Sequence, residues 1–482
     1  MTGCNEKMSR QLEERPDTAE ASRRERDGLG EKDVPESAYW GIHTARALEN
    51  FSLSGRPSRP ELITALAQVK LACARTNSDL GYLPAPEAQA IIQACEEIAA
   101  GSFRREFVVD ALQGGAGTST NMNMNEVVAN RAEEILGGRK GEYARIDPLQ
   151  HVNLHQSTND VYPTAIKVAA MALLYELEQA IAELQTAFQE REKVFSDVLK
   201  VGRTQLQDAV PMSLGAECSA WAECFSRDRW RVFKCEERLR VVNLGGTAVG
   251  TGLTAPRKYI FLVVEKLREV TGLGLSRAEN LVDATQNADA FVEVSGILKA
   301  HAVNLFKVSS DLRLLASGPG AGLGELRLPP MQAGSSLMPG KVNPVICEAV
   351  AQTALQVMSN DMAIGLAAQS GQLELNAFLP LLAENLLSGL ALLVRANQMF
   401  ARRCVCGMEA NPAVCEKHLG KSLAVVTALV PRLGYARCEE IAAEAFTSGR
   451  SVRDVVLDMG LLDQGELDRL LSVENMSSLG HR

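Results

Sequence analysis

The stretch IKVAAMALLYELEQAIAELQTAFQEREKVFSDVLK (166–200) decides the fold class. In it Leu174, Leu177, Ile181, Leu184 and Phe188 recur at alternating three- and four-residue steps, and Phe195 and Val198 extend the stripe. That spacing puts apolar side chains on one helix face, as in coiled-coil-like packing. Val294, Leu298, Leu305, Val308, Leu312 and Leu315 repeat the pattern over 291–315. His301 falls in that second stripe and reads as a satisfied core or interface histidine rather than a catalytic one. Further long helical segments are expected near 213–242, 345–370 and 377–402. Five long helices imply an elongated bundle, and stripes of this length need partner subunits to cover them. No strand–helix alternation appears, which argues against a dinucleotide-binding sheet. The fold class expected is mainly α.

Composition narrows the functions. Of 482 residues, 46% are hydrophobic and 23% charged, and the formal net charge is −9. A negative field disfavours a broad nucleic-acid or anionic-membrane surface, yet a few local cations can still hold a small anion. No apolar run of ~18 residues reads as membrane-spanning. The eleven cysteines are scattered, with no CxxC pair. Cys404, Cys406, Cys415 and His418 fit no common zinc spacing and read as reduced thiols and a histidine. Such cysteine usage suits a reducing cytoplasm.

Residues 1–30 mix arginine and glutamate without an apolar core and read as a solvated, disordered tail. The following segment, DVPESAYWGIHTARALENF (33–51), reads as ordered strand and loop. The expected domains are an N-terminal one over 31–157, the central bundle over 158–410 and a small helical one over 411–482.

Four polar stretches interrupt the helices: GGAGTSTNMNMNE (114–126), HQSTNDVYPT (155–164), VGRTQLQDAVPM (201–212) and the segment 317–344. Polar, turn-rich sequence at helix ends is where a helical protein builds a site. GGAGTSTN lacks the lysine of a phosphate loop, and neither HExxH nor GxSxG occurs. What remains is a set of hydroxyls and amides with one or two cations. Such a set suits a small dicarboxylate: lysine supplies a point charge, while Ser, Thr, Asn and backbone N–H groups supply directed hydrogen bonds. SGPGAGLGELRLPPMQAGSSLMPG (317–340) is long for a connector within a bundle, so a functional loop is expected there.

On these residues the chain resembles the aspartase/fumarase superfamily. GSSLMPGKVNP (334–344) is similar to its signature loop GSSxMPxKxNP. The other three polar stretches and LGGTAVGTGL (244–253) match in order, from about residue 28 to the C-terminus. The resemblance implies a three-domain, mostly helical fold and a homotetramer whose central helices merge and whose subunits share active sites. It implies an anti elimination through an aci-carboxylate intermediate, which requires no metal or organic cofactor. Ser335 resembles the base, and its alkoxide would have to be stabilised by backbone N–H groups and the Lys341 charge. Ser336, Thr118, Ser157 and Thr158 resemble the β-carboxylate cradle. Lys341, Asn343 and Thr204 resemble the α-carboxylate contacts, and Asn159, Gln205 and Thr118 the amino-group contacts.

Gln205 bears on the leaving group. Fumarases show GRTHTQDA where this chain reads GRTQLQDA, and a glutamine carbonyl can accept from an ammonium. GGAGTST and SGQLELN (370–376) lean the same way, towards elimination of ammonia from L-aspartate to give fumarate. Gly340 and VTALVPRLGY (426–435) are closer to fumarases, which keeps hydration of fumarate as the alternative. An inactive relative with a structural or regulatory role is the second. Thr254 stands where both branches carry Asn, and His155 stands where Ser is common.

Overall fold

The computed structural model describes residues 21–477 and 480. It is mainly helical, and the expected five long helices are present: Thr158–Val194, Leu214–Leu239, Asp289–Leu315, Val345–Gln369 and Leu379–Phe400. The chain divides into two compact units, each discontinuous in sequence.

One unit comprises residues 21–169, 241–287 and 370–384. Its helix Pro60–Asp79 starts on a proline, whose missing N–H costs nothing at a helix N-terminus. It packs against Ala85–Ala99 and Arg257–Thr271, burying Leu66, Val69, Ile91, Ala94, Val263 and Leu267.

The other unit comprises 170–240, 288–369 and residues from 385 onward. Its helix Asp289–Leu315 packs on Leu214–Leu239 and Val345–Gln369. The stripe Val294, Leu298, Leu305, Val308, Leu312 and Leu315 is buried, as its spacing requires. Phe188 is fully buried and meets the rings of Trp221, Phe225 and Phe400 at 5.6, 5.7 and 6.1 Å. His301 is a satisfied core residue: its Nδ1 lies 2.9 Å from Asp228 Oδ2, and Asn397 Nδ2 donates to its Nε2 at 2.9 Å. Beyond 411, Leu429, Ile441, Val456 and Leu467 form a separate small hydrophobic cluster.

The structure corrects three expectations. The helix predicted to run to residue 200 stops at Val194. The carbonyls of Phe195 and Val198 receive the N–H groups of Gly215 and Leu214 instead of a further helical turn. Leu199–Thr204 then pairs antiparallel with Gln207–Ser213, so cross-strand pairing overrides the local helical stripe. Of the tail expected over 1–30, residues 1–20 and Cys4 lie outside the described residues. Ser22–Asp27 is not disordered but forms a hairpin with Gly30–Pro35. The Arg23 guanidinium locks it, donating to the carbonyls of Pro35, Ala38 and Trp40 and to Glu25. Within 33–51, Ile42–Asn50 is a helix; Glu126 accepts its N-terminal N–H groups from His43 and Thr44, supplying the partners that a short helix lacks alone.

Candidate active site

The polar stretches fall in the two units and are described unit by unit. In the first, Gly117 (φ 95°) ends the turn before helix Thr118–Ile135. A Cβ on Gly117 would sit 2.6 Å from the Tyr162 ring, so glycine is required for this approach. The Thr118 hydroxyl donates to Gly115 O at 2.7 Å. Its hydrogen is thereby used, and it presents lone pairs.

The segment Gln156–Asp160 is held from several sides. Asp160 is fully buried. Its carboxylate accepts the N–H groups of Ser157, Gly245 and Thr247 at 2.9, 3.1 and 3.0 Å. Burial pushes the Asp160 carboxyl up to about 6 against these bonds. Pro163 inside the helix cannot donate to Asn159 O four residues back. Asn243 Nδ2 takes that carbonyl at 2.9 Å. The Ser157 Oγ accepts the Asn159 N–H at 3.2 Å, and the Thr158 Oγ1 accepts from Asn121 Nδ2 at 3.1 Å. Each hydroxyl is therefore left with a hydrogen to donate. Asn159 Nδ2 donates to Ala248 O at 2.7 Å, which leaves its Oδ1 as an acceptor. His155 is not one of these donors: it faces Asn77 Oδ1 at 2.8 Å and packs between Tyr82 and Tyr259.

In the second unit, Thr204 and Gln207 close a hairpin on a two-residue turn. Both turn residues have positive φ, Gln205 at 53° and Leu206 at 62°. Neither is the glycine or asparagine that such a turn favours, so the backbone holds strain where Gln205 is presented to solvent. Arg203 beside them is anchored by Glu325, which accepts from its Nη1 and Nη2 at 3.0 and 2.6 Å.

The loop 334–343 closes on itself. Gly334 N donates to Lys341 O at 2.9 Å, and Asn343 Nδ2 donates to Gly334 O at 2.7 Å. Ser335 Oγ accepts two backbone N–H groups, from Leu337 at 3.1 Å and Met338 at 2.8 Å. Two N–H dipoles aimed at one hydroxyl oxygen favour a negative charge on it. Ser336 and Lys341 lie beside it, exposed. Among the described residues, no carboxylate pairs with the Lys341 ammonium, and no hydrogen bond joins the Thr204–Gln205 tip to this loop. One hydrogen of the Asn343 amide serves the loop, leaving a single N–H for a ligand.

Sequence reasoning passed over Asn121, the Arg203–Glu325 pair and the buried Lys70, whose ammonium donates to Asn153 Oδ1 at 2.9 Å. Asn121 was visible in the TSTNMNMNE run, where several asparagines share one helix and each needs a hydrogen-bond partner once buried. Lys70 and Glu325 carried no signal, because a buried charge among apolar neighbours reads like any surface charge. Around Cys404 the side chains have other partners: Cys404 faces Cys347 at 3.6 Å and His418 faces Glu325 at 3.0 Å, and among the described residues no three His, Cys, Asp or Glu side chains are grouped closely enough to hold a metal.

The chain belongs to the lyase family whose model matches residues 30–359, and a fumarase C C-terminus model matches residues 425–478. It is 47% identical to the aspartate ammonia-lyase of Bacillus subtilis, covering 95% of this chain and 96% of that one. It is 45% identical to that of Escherichia coli, covering 94% and 95%. Among solved structures, a fumarate lyase:delta crystallin from Brucella melitensis bound to cobalt superposes with a TM-score of 0.92 at 48% identity, covering 95% of this chain and 100% of that one. A class II fumarase from Schistosoma mansoni gives 0.89 at 34% identity, covering 95% and 99%.

Proposed function

We propose that this chain is an aspartate ammonia-lyase, a carbon–nitrogen lyase that eliminates ammonia from L-aspartate to give fumarate. The observation that carries the mechanism is the pair of N–H groups on Ser335 Oγ. A serine is a weak base unless its alkoxide is stabilised, and this arrangement supplies that stabilisation before substrate arrives. Ser335 takes the Cβ proton. The electron pair moves into the β-carboxylate as an aci-carboxylate, and the Cα–N bond then breaks to release ammonia.

Hydroxyls with a hydrogen to give belong on the carboxylate: Ser157, Thr158 and Ser336 cradle the β-carboxylate. Lys341 supplies the charge for the α-carboxylate, with Thr204 and the remaining N–H of Asn343. Groups that present lone pairs belong on the ammonium, and the bond from Thr118 to Gly115 supports a place for Thr118 there with Asn159 and Gln205. The exposed Ser336, Lys341 and Gln205 support a site completed by other copies of the chain, in a three-domain homotetramer acting in the cytoplasm.

The test is fumarate absorbance after adding L-aspartate or L-malate to purified protein. Turnover of aspartate is expected. Turnover of malate alone would replace this reading with fumarate hydration, which the match of residues 425–478 to the fumarase C C-terminus makes the reading to exclude. Turnover of neither would favour an inactive relative. Light scattering that finds only monomer would overturn the shared site.

A further inference from the structure

Lys70 lies on helix Pro60–Asp79 with 1% of its surface exposed. Among the described residues no carboxylate pairs with its ammonium directly. It donates instead to two side-chain amides, Asn153 Oδ1 at 2.9 Å and Gln156 Oε1 at 2.8 Å. An ammonium can only donate. It therefore fixes which end of the Asn153 amide faces it, a choice that the shape of an amide leaves open, whereas Gln156 is also held by its Nε2 donating to Val152 O at 2.9 Å.

The consequence runs outward from Asn153. With its Oδ1 turned to Lys70, that oxygen also accepts from Asn121 Nδ2 at 3.3 Å and Asn125 Nδ2 at 3.1 Å. Asn121 must then keep its NH2 on this side, since a flipped amide would set oxygen against oxygen. The same NH2 donates to Thr158 Oγ1 at 3.1 Å. Thr158 thus accepts from the interior, and its own hydrogen has no acceptor among the described residues. The Asn121 Oδ1 is buried and lacks a hydrogen-bond partner, so the orientation is held against a local cost.

We infer that Lys70 is a positioning residue: by fixing the Asn153 and Asn121 amides it turns the Thr158 hydroxyl outward as a donor to a substrate carboxylate. This rests on the reading above that Thr158 binds the β-carboxylate. Without the Lys70 ammonium, Asn153 is held only by the 3.4 Å bond from its Nδ2 to Gln156 O, too long to fix it, and both amides can flip. Thr158 can then donate inward to Asn121 Oδ1 and meet the carboxylate with lone pairs.

The experiment is steady-state kinetics on the full-length protein with L-aspartate, with folding checked by far-UV circular dichroism. Thr158→Val is expected to raise KM at least 10-fold. Lys70→Met is expected to raise KM about 10-fold while kcat stays within about 3-fold; a merely structural role would lower kcat or the active fraction instead. If Lys70→Met does not fold, the comparison at Asn153 decides. Asn153→Asp keeps an acceptor towards both Lys70 and Asn121 and should raise KM several-fold less than Asn153→Leu, despite its added negative charge. If Thr158→Val leaves KM unchanged, the carboxylate reading of Thr158 fails and this inference with it. If Thr158→Val raises KM but Asn153→Asp and Asn153→Leu behave alike, only the role of Lys70 and its amides is overturned.

Discussion

Replacing Glu325 with alanine tests how the hairpin that carries Thr204 and Gln205 is held. The Glu325 side chain has no exposed surface. It accepts from Arg203 at 3.0 and 2.6 Å and lies 3.0 Å from His418 Nδ1 and 3.4 Å from Lys200 Nζ. Burial alone would push this carboxyl up, but the Arg203, His418 and Lys200 contacts outweigh it and hold it below the usual carboxylate range. Breaking a buried ion pair from one side costs roughly 3–5 kcal/mol, because the partner charge is left uncompensated. Lys200 keeps Glu217 at 2.7 Å and the Arg203 side chain is 15% exposed, so the lower end applies, about 3 kcal/mol. Urea unfolding followed by circular dichroism reads this directly. At a slope of about 3 kcal/mol per molar, the midpoint falls by about 1 M. The sign with pH is also determined. A carboxylate whose folded pKa is depressed stabilises above its unfolded pKa, and that contribution is lost as pH falls through the folded value. The gap between wild type and Glu325→Ala should therefore narrow in acid. A loss below 1 kcal/mol at neutral pH, or a gap that does not narrow, would refute the reasoning.

Four further outcomes are expected. Ser335→Ala lowers kcat by about 10²–10⁴-fold in the fumarate assay, the range for a lost general base, with substrate binding largely kept; appreciable residual rate rejects Ser335 as the base. Lys341→Ala raises KM for L-aspartate about 10- to 150-fold, since a charge-assisted contact is worth ~1.5–3 kcal/mol; an unchanged KM contradicts its role. Leu206→Gly raises stability by about 0.5–1 kcal/mol, because left-handed backbone is costly for leucine and the side chain is exposed; a loss in thermal or urea unfolding sinks this account of the turn. Burial pushes Lys70 down to about 8 from 10.5. The unfolded chain then binds more protons over that interval, so wild type should gain on Lys70→Met by about 2–3 kcal/mol between pH 7 and pH 10. Parallel pH curves for the two proteins would show that Lys70 is not held at a cost.

Helix content and the buried faces were legible in the sequence because helical periodicity is a local property. Leu298, Leu305 and Leu312 are buried where their spacing puts them. The polar stretches were legible for the complementary reason: threonine and asparagine such as Thr120, Asn121 and Asn125 are costly to bury without hydrogen-bond partners, so their concentration marks a built polar region. Their assignment to individual roles was less complete. Thr118 resembled both a carboxylate and an amino-group contact, and the acceptor that its hydrogen finds at Gly115 supports the second reading.

Where local pattern and long-range pairing disagreed, pairing prevailed. Phe195 and Val198 continue a helical stripe, yet the chain turns into a strand there because Leu214 and Gly215 supply the partners for their carbonyls. The Arg-rich segment 22–27 reads as solvated tail until Arg23 meets the carbonyls of Pro35, Ala38 and Trp40. Sequence by itself thus determined that the protein is helical, which faces are buried and which loops carry donors. Tertiary structure alone decided that Lys70 and Glu325 are buried, what each must satisfy, and hence which way Thr158 and the Arg203 hairpin are turned. The physical reason is that a hydrogen bond or ion pair is set by what stands opposite a group, and the spacing of residues along a chain does not say what that will be.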